Sequence, residues 1–104
     1  MSQNEAAKHP RGTTQIGPYL FIEVEYDIVS QWLDPEDNTV CWEDADKNIW
    51  YEYLPKRTTT ILGLVSQMKV ELALDPTPEF HDRWKPIFDE LDPDQEYIIL
   101  RIAQ

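Results

Sequence analysis

Three groups of side chains in this sequence could carry chemistry, and the first resembles half of a calcium loop. Asp44-x-Asp46-x-Asn48 places oxygen ligands at alternate positions, as calcium loops do. Such a loop then needs a glycine for its sharp turn and a final bidentate glutamate, but Ile49 and Pro55 occupy those two positions. Because Asp and Asn are also ordinary turn residues, the segment predicts a hairpin and no metal site.

The second group contains the candidate nucleophile and bases. Cys41 is the one cysteine, and His9 and His81 are the two histidines. They would form a nucleophile–base pair only if the fold brought them together, and their spacing does not match a zinc site. A free cysteine within a short strand usually behaves as a small hydrophobic residue. We therefore expect no metal and no cysteine catalysis.

Paired carboxylates form the third group. Glu23 and Glu25 would lie on one strand face about 6.7 Å apart, between the separations typical of retaining and inverting glycosidases. A catalytic acid needs a pocket that raises its pKa, and an exposed strand face does not provide one. The three glycines, Gly12, Gly17 and Gly63, form no phosphate-binding loop. The sequence thus predicts no catalytic residue, no cofactor and no enzyme.

A different pattern fills the region from Trp32 to Tyr53, where aromatic residues alternate with carboxylates. Aromatic anchors with a charged rim are typical of protein-binding surfaces. The aromatics supply contact area, while the carboxylates attract and pair with Arg or Lys. We predict that this partner-binding surface is formed by Trp32, Asp34, Glu36, Asp37, Trp42, Glu43, Asp44, Asp46, Trp50 and Glu52.

The charge of the chain supports a basic protein partner. Its 104 residues carry a formal net charge of −11, to which residues 18–55 contribute −9. Such a surface repels nucleic acid phosphates and steers basic partners toward itself. The sequence hypothesis is an inhibitor, immunity-type or regulatory protein, with mimicry of DNA as a special case. Two alternatives remain open: a structural or accessory subunit of a larger assembly, and a small-ligand-binding or carboxylate-dependent enzyme domain.

Composition predicts a cytoplasmic protein without a membrane segment. No stretch approaches 18 consecutive apolar residues, and residues 1–17 lack the pattern of a signal peptide. A single cysteine excludes an intramolecular disulfide, as is usual in the cytoplasm. We expect a flexible tail over residues 1–17 and a single acidic domain over residues 18–104.

The predicted fold is α+β, with an antiparallel sheet of four to six strands and one C-terminal amphipathic helix on one face. Alternation from Tyr19 to Ile28 predicts a strand with one buried face and one wet, acidic face. A hairpin is predicted to join Thr39–Trp42 to Ile49–Leu54. Within its second strand, Ile49, Tyr51 and Tyr53 share one face and Trp50, Glu52 and Leu54 the other. Because both faces carry aromatic residues, we expect one face to be covered by the domain and the other to be partly covered by something else.

The end of the chain is predicted as a helix and a final strand. Residues 58–74 fit either a strand pair that turns near Ser66 or a helix, and the strand pair is slightly favoured. Thr77 and Pro78 are typical of a helix start, and an apolar stripe then runs at helical spacing to Leu91. Pro86 should kink or split this helix. Residues 97–102 alternate as a strand.

Overall fold

A computed structural model describes residues 12–25, 27–54, 58–74 and 77–102. Seven strands and two helices lie in these ranges. In chain order they are β1 (Thr13–Ile16), β2 (Tyr19–Val24), β3 (Ile28–Asp34), β4 (Thr39–Asp44), β5 (Ile49–Tyr53), β6 (Thr58–Leu64), α1 (Val65–Leu74), α2 (Pro78–Phe88) and β7 (Glu96–Ile102).

The strands form two antiparallel sheets. One has four strands in the order β1-β2-β7-β6, and the other has three in the order β3-β4-β5. Two turns connect neighbouring strands of the smaller sheet. Asn38 and Lys47 take positive φ there, of 53° and 69°, which Asn tolerates well and which suits tight turns. The hairpin predicted over residues 39–54 is confirmed.

The two central strands of the four-stranded sheet, β2 and β7, are buried on both faces, which divides the core into two clusters. On one face, Leu20, Ile98 and Leu100 pack with Val40 and Trp42 of the three-stranded sheet. On the opposite face, residues of β2 and β7 pack under the two helices. The domain therefore has three layers: helices, four-stranded sheet and three-stranded sheet. Strand β7 lies in the middle layer, and all but one of its side chains are buried.

This arrangement confirms the α+β class and corrects its details. There are two sheets rather than one, and two helices rather than a single C-terminal one. The wet acidic face expected for Tyr19 to Ile28 is wrong, because Tyr19 and Phe21 on that face are buried against the helices. The strand also ends at Val24, and Asp27 turns the chain with a φ of 71°. A period-two pattern does not reveal that a second layer covers the other face.

Residues 58–74 combine both readings, since β6 ends at Leu64 and α1 begins at Val65. The favoured strand pair is therefore wrong for the second half. A contact distant in sequence stabilises the helix start: the buried carboxylate of Glu96 accepts the backbone N–H of Ser66 at 3.0 Å and also its hydroxyl. A carboxylate at a helix N-terminus satisfies orphan N–H groups and complements the helix dipole.

The second helix begins at Pro78, as predicted, and continues through Pro86 to Phe88 without the predicted split. Thr77 occupies the N-cap position but makes no capping hydrogen bond through its side chain. Trp84 and Phe88 anchor the helix, because both are buried and their rings stack at 5.5 Å. Their packing keeps the last turn helical in spite of the proline.

The predicted tail over residues 1–17 is corrected at its C-terminal end. Residues 13–16 form β1, which pairs with β2 from Thr13↔Ile22 to Ile16↔Tyr19. Residues 1–11, and with them most of the predicted tail, lie outside the described residues.

Candidate functional site

The three-stranded sheet has an inner face in the core and an outer face toward solvent. Its register places cross-strand partners on the same side, which sorts every residue to one face. We call the following set the outer face: Ser30, Trp32 and Asp34 on β3; Thr39, Cys41 and Glu43 on β4; and Ile49, Tyr51 and Tyr53 on β5.

Large apolar side chains of the outer face are exposed. Trp32 is 40% exposed, Ile49 47% and Tyr53 59%. Tyr51 is half-buried and meets the ring of Tyr53 edge-on, with centroids 5.4 Å apart. An exposed cluster of this kind marks an interaction surface more often than a lone exposed residue does. The pattern in β5 that predicted a second covering beyond the domain thus corresponds to this exposed face.

Cys41 lies in the middle of the outer face, between two aromatic residues. Trp32 pairs with Cys41, and Cys41 pairs with Tyr51, so the two aromatic residues stand on either side of a small one. Since neighbouring strands lie about 4.8 Å apart, the flanking strands are about 9 to 10 Å apart. Thr39 and Glu43 lie on either side of Cys41 along β4, and Thr39 is 4% exposed.

The Cys41 thiol is affected by burial, by its neighbour Thr39 and by two carboxylates. Burial raises the pKa of the Cys41 thiol above its ordinary value, a hydrogen bond with Thr39 lowers it, and the charges of Asp34 and Asp37 raise it further. The Thr39 hydroxyl lies 3.9 Å from the sulfur. The thiol is therefore protonated at neutral pH, which makes Cys41 a poor nucleophile. Cys41 on this sheet and His81 on α2 are separated by the four-stranded sheet, so they form no catalytic pair.

Two of the predicted anchors instead belong to the core. Trp42 is 2% exposed and stacks on Trp50, with centroids 6.3 Å apart and planes 4° from parallel. Both point into the space between the two sheets. Glu52 shares the inner side with them because it pairs with Val40. These residues support the outer face from below and cannot act as its surface anchors.

The carboxylate of Asp44 is consumed by the hairpin. One oxygen accepts the backbone N–H groups of Asp46 and Asn48, at 2.9 and 3.0 Å. The other accepts the side-chain amide of Asn48 and the indole N–H of Trp50, at 3.2 and 3.0 Å. The hydrogen bond from Trp50 is the main reason that the pKa of Asp44 is lowered. The alternation that resembles a calcium loop is thus hairpin chemistry.

The other predicted carboxylates surround the outer face. Asp34 and Glu43 lie on it, while Glu36 and Asp37 are exposed in the turn after β3 and Asp46 is exposed in the hairpin after β4. One oxygen of Asp34 accepts the backbone N–H of Glu36 at 3.1 Å, which shapes the turn. The structure therefore places Trp32, Asp34 and Glu43 on the outer face, and Glu36, Asp37 and Asp46 in the turns at its two opposite ends.

Sequence reasoning missed six members of the outer face: Ser30, Thr39, Cys41, Ile49, Tyr51 and Tyr53. The alternation of β5 separates Tyr51 and Tyr53 from Trp50, so that signal was present in the sequence. The missing information was register, which places Tyr51 beside Cys41 and Cys41 beside Trp32. Without it, the face on which the tryptophans lie could not be assigned.

A second exposed apolar area lies on the helices. Val70 is 58% exposed and Leu74 80%. Leu74 lines a shallow cleft of about 320 Å³ together with Glu71, Thr77 and Phe80. Glu71 is the carboxylate among the residues that line this cleft. The helices lie on the opposite side of the four-stranded sheet from the outer face.

Other candidate chemistry is not assembled in the described part of the chain. Glu23 and Glu25 do not share a strand face, because β2 ends between them at Val24. His81 lies 3.8 Å from the carboxylate of its neighbour Asp82, at an exposed position. Within the described ranges no three His, Cys, Asp or Glu residues are grouped as metal ligands, and no helix is long and apolar enough to cross a membrane.

Comparison of the chain with protein-family models, with curated proteins and with solved structures finds no match.

Proposed function

We propose that this protein is a protein-interaction module whose outer face binds a basic surface of a partner protein. The observation that carries the proposal is the exposure of Trp32, Ile49 and Tyr53 on a sheet whose opposite face is core. The fold does not need these side chains outside. Exposed aromatic side chains with a polar rim are the usual composition of binding hot spots.

The charge around the outer face indicates the sign of the partner. Residues 28–54, which contain the three-stranded sheet, include one basic residue, Lys47. The acidic residues of the same range are Asp34, Glu36, Asp37, Glu43, Asp44, Asp46 and Glu52. A surface of one sign accelerates the association of partners of the opposite sign and suppresses partners of the same sign. The proposed partner is therefore basic.

The two alternatives are weaker on the same observations. A fixed subunit of a larger assembly would also bury the outer face, and it differs from a regulatory module in never occurring alone. A small-ligand enzyme would need a pocket with converging polar groups, whereas the helix-side cleft offers the carboxylate of Glu71 on an exposed helix. Mimicry of DNA is a special case in which the basic partner is a nucleic-acid-binding protein.

The experiment is differential capture from a nuclease-treated native lysate with three tagged proteins. The first is the wild type. The second carries Trp32→Ala with Tyr53→Ala on the outer face, and the matched control carries Val70→Ala with Leu74→Ala on the helices. All four positions are exposed, so each double variant removes two large apolar side chains without opening the core. Circular dichroism checks that both variants are folded.

The proposal requires a basic protein that the wild type and the helix-side control recover and that the outer-face variant loses. Retention at high salt would assign binding mainly to the aromatic side chains, while release by salt and by added DNA would assign the partner to nucleic-acid-binding proteins. Equal recovery by the wild type and the outer-face variant, or recovery of acidic partners only, would contradict the proposal.

A further inference from the structure

We propose that a second copy of this chain binds to the exposed side of helix α1, so that the first helices of two copies lie side by side and parallel about a two-fold axis. This surface is separate from the outer face, because the four-stranded sheet lies between them. The inference therefore goes beyond the proposed function and does not depend on it.

Helix α1 carries apolar side chains on two sides, although one side alone contacts the core. Val65, Met68 and Leu72 pack into the cluster under the helices. Val70 and Leu74 point away from it and are 58% and 80% exposed. A helix that packs on one side and faces water on the other normally carries polar or charged residues outside. The second apolar side of α1 thus indicates a second contact.

The exposed side of α1 includes a stripe without charge that runs along the helix. Residues three and four positions apart share one face of a helix, and five exposed positions follow this spacing around Val70. We call them the outward stripe: Ser66, Gln67, Val70, Ala73 and Leu74. Its two polar members are already bonded, the Ser66 hydroxyl to Glu96 and the Gln67 side-chain oxygen to the backbone N–H of Leu64. Another helix could cover this stripe without burying a charge.

The two charges of α1 flank the outward stripe on opposite sides. Successive residues of an α-helix are rotated by about 100°, so Lys69 and Glu71 point to opposite sides of Val70. The carboxylate of Glu71 makes no hydrogen bond or ion pair within the described part of the chain. The ammonium of Lys69 lies 6.0 Å from the centre of the Phe88 ring. The stripe therefore has one negative border and one positive border.

These borders select the orientation of a second copy. When two identical helices pack in parallel about a two-fold axis, opposite borders face each other, so Lys69 of each copy meets Glu71 of the other. In an antiparallel pair the same borders face each other, so Glu71 would meet Glu71 and Lys69 would meet Lys69. Unlike charges across an interface favour the parallel arrangement, and like charges disfavour the antiparallel one.

The charge of the helices suits a second copy better than a strongly charged partner. Helix α1 has one basic and one acidic residue, and α2 has two of each, so each helix is neutral when His81 is neutral. The chain as a whole carries −11, so two copies repel each other on most approaches. Contact through the neutral helices keeps the acidic three-stranded sheets on the far sides of the pair.

The size of the contact sets the expected affinity. Helix α1 has ten residues and is therefore about 15 Å long. A contact centred on it buries less than a standard interface, which is about 1,600 Å². We expect a weak dimer, with a dissociation constant in the micromolar range or above.

The test is sedimentation velocity of the full chain from about 10 μM to about 1 mM, with two matched variants. Val70→Glu places a charge in the centre of the outward stripe, beside its own copy, and should weaken the dimer at least about tenfold. Val29→Glu adds the same charge at a valine of β3 that is 63% exposed, and should leave the dissociation constant unchanged. Circular dichroism checks that both variants are folded.

A charge reversal tests the parallel orientation. Glu71→Lys turns both Lys–Glu pairs into like charges and should weaken the dimer about threefold or more. General repulsion predicts the opposite, because this change adds two positive charges to the net −11 of the chain. Lys69→Glu combined with Glu71→Lys reverses both pairs and should restore the wild-type dissociation constant within about twofold.

Three results would overturn the inference. A wild type that stays monomeric up to about 1 mM would exclude the second copy and leave the outward stripe to a different protein. Equal effects of Val70→Glu and Val29→Glu would show that association does not involve α1. A dimer that Glu71→Lys does not weaken would overturn the parallel arrangement. All three leave the proposed function standing, because the differential capture tests that separately through Trp32 and Tyr53.

Discussion

Two tryptophans of the same sheet should respond very differently to truncation. Trp42 is 2% exposed and lies between the two sheets, while Trp32 is 40% exposed on the outer face. We expect Trp42→Ala to lower the free energy of unfolding by about 3–5 kcal/mol, the usual cost of removing a buried Trp side chain. For Trp32→Ala we expect about 1–2 kcal/mol, because much of that side chain already contacts water.

The loss in free energy of unfolding expected for Trp42→Ala is large for a domain of this size. Domains are typically stable by about 5–15 kcal/mol, so Trp42→Ala should lose a large share of the stability of the fold, together with the stacking on Trp50. Trp32→Ala should remain folded and lose binding to the basic partner. The two variants therefore separate support of the fold from contact with the partner.

The assay is urea unfolding followed by far-UV circular dichroism, since a change of tryptophan also alters the fluorescence signal. The free energy of unfolding of each variant is compared with that of the wild type, with one common slope of free energy against urea concentration. If Trp32→Ala destabilised the protein as much as Trp42→Ala, the outer face would be part of a packed interior. The assignment of inner and outer faces, and the binding proposal with it, would then be refuted.

Three further predictions concern the contacts that position the site. Asp44→Asn should lower the melting temperature and remove part of the acid sensitivity: because the pKa of Asp44 is lowered in the folded state, its stabilising effect is present above the unfolded pKa and is lost as pH falls through the folded one. Melting curves from pH 2 to pH 7 measure both, and an unchanged pH profile would contradict the role of Asp44. Glu96→Ala should lower the free energy of unfolding by about 2–4 kcal/mol, since the N–H groups of Ser66 and Tyr97 lose their acceptor; Glu96→Gln, which keeps one oxygen, should lose less in the same urea titration. Pro86→Ala should raise the free energy of unfolding by about 1 kcal/mol, because it restores a backbone donor inside α2, and a decrease in the urea midpoint would show that the proline is required there.

Local patterns in the sequence were sufficient for part of this fold. The hairpin over residues 39–54, the helix start at Pro78 and the final strand all follow from turn residues and periodicity over short windows. Helix α2 does not split at Pro86 as predicted, because Trp84 and Phe88 pack its last turn against the core. Propensity alone does not contain that packing.

Other elements depend on contacts between distant residues. Helix α1 begins where Glu96, 30 residues away, accepts hydrogen bonds from Ser66, so no local window could identify its start. The helices cover the face of β2 that carries Tyr19 and Phe21, and alternation cannot indicate such a covering. The sequence also offered no sign that the chain divides into two sheets.

The strand register divides the predicted partner-binding residues between the two faces of the three-stranded sheet. Acidic and aromatic residues mark the region 32–53 at once, but only the strand register shows that Trp42 and Trp50 point inward and that Tyr51 and Tyr53 point outward. Asp44 is indistinguishable in sequence from its exposed neighbours, although its oxygens are used by the hairpin.

The most direct test of the central claim is hydroxyl-radical footprinting of the protein alone and in complex with its captured partner. The account predicts that oxidation of Trp32 and Tyr53 on the outer face falls on binding, while oxidation of Leu74 and Phe80 at the helix-side cleft does not change. Protection of Leu74 and Phe80 with unchanged oxidation of Trp32 would place the interface on the helices. That result would contradict the assignment of the outer face as the binding surface.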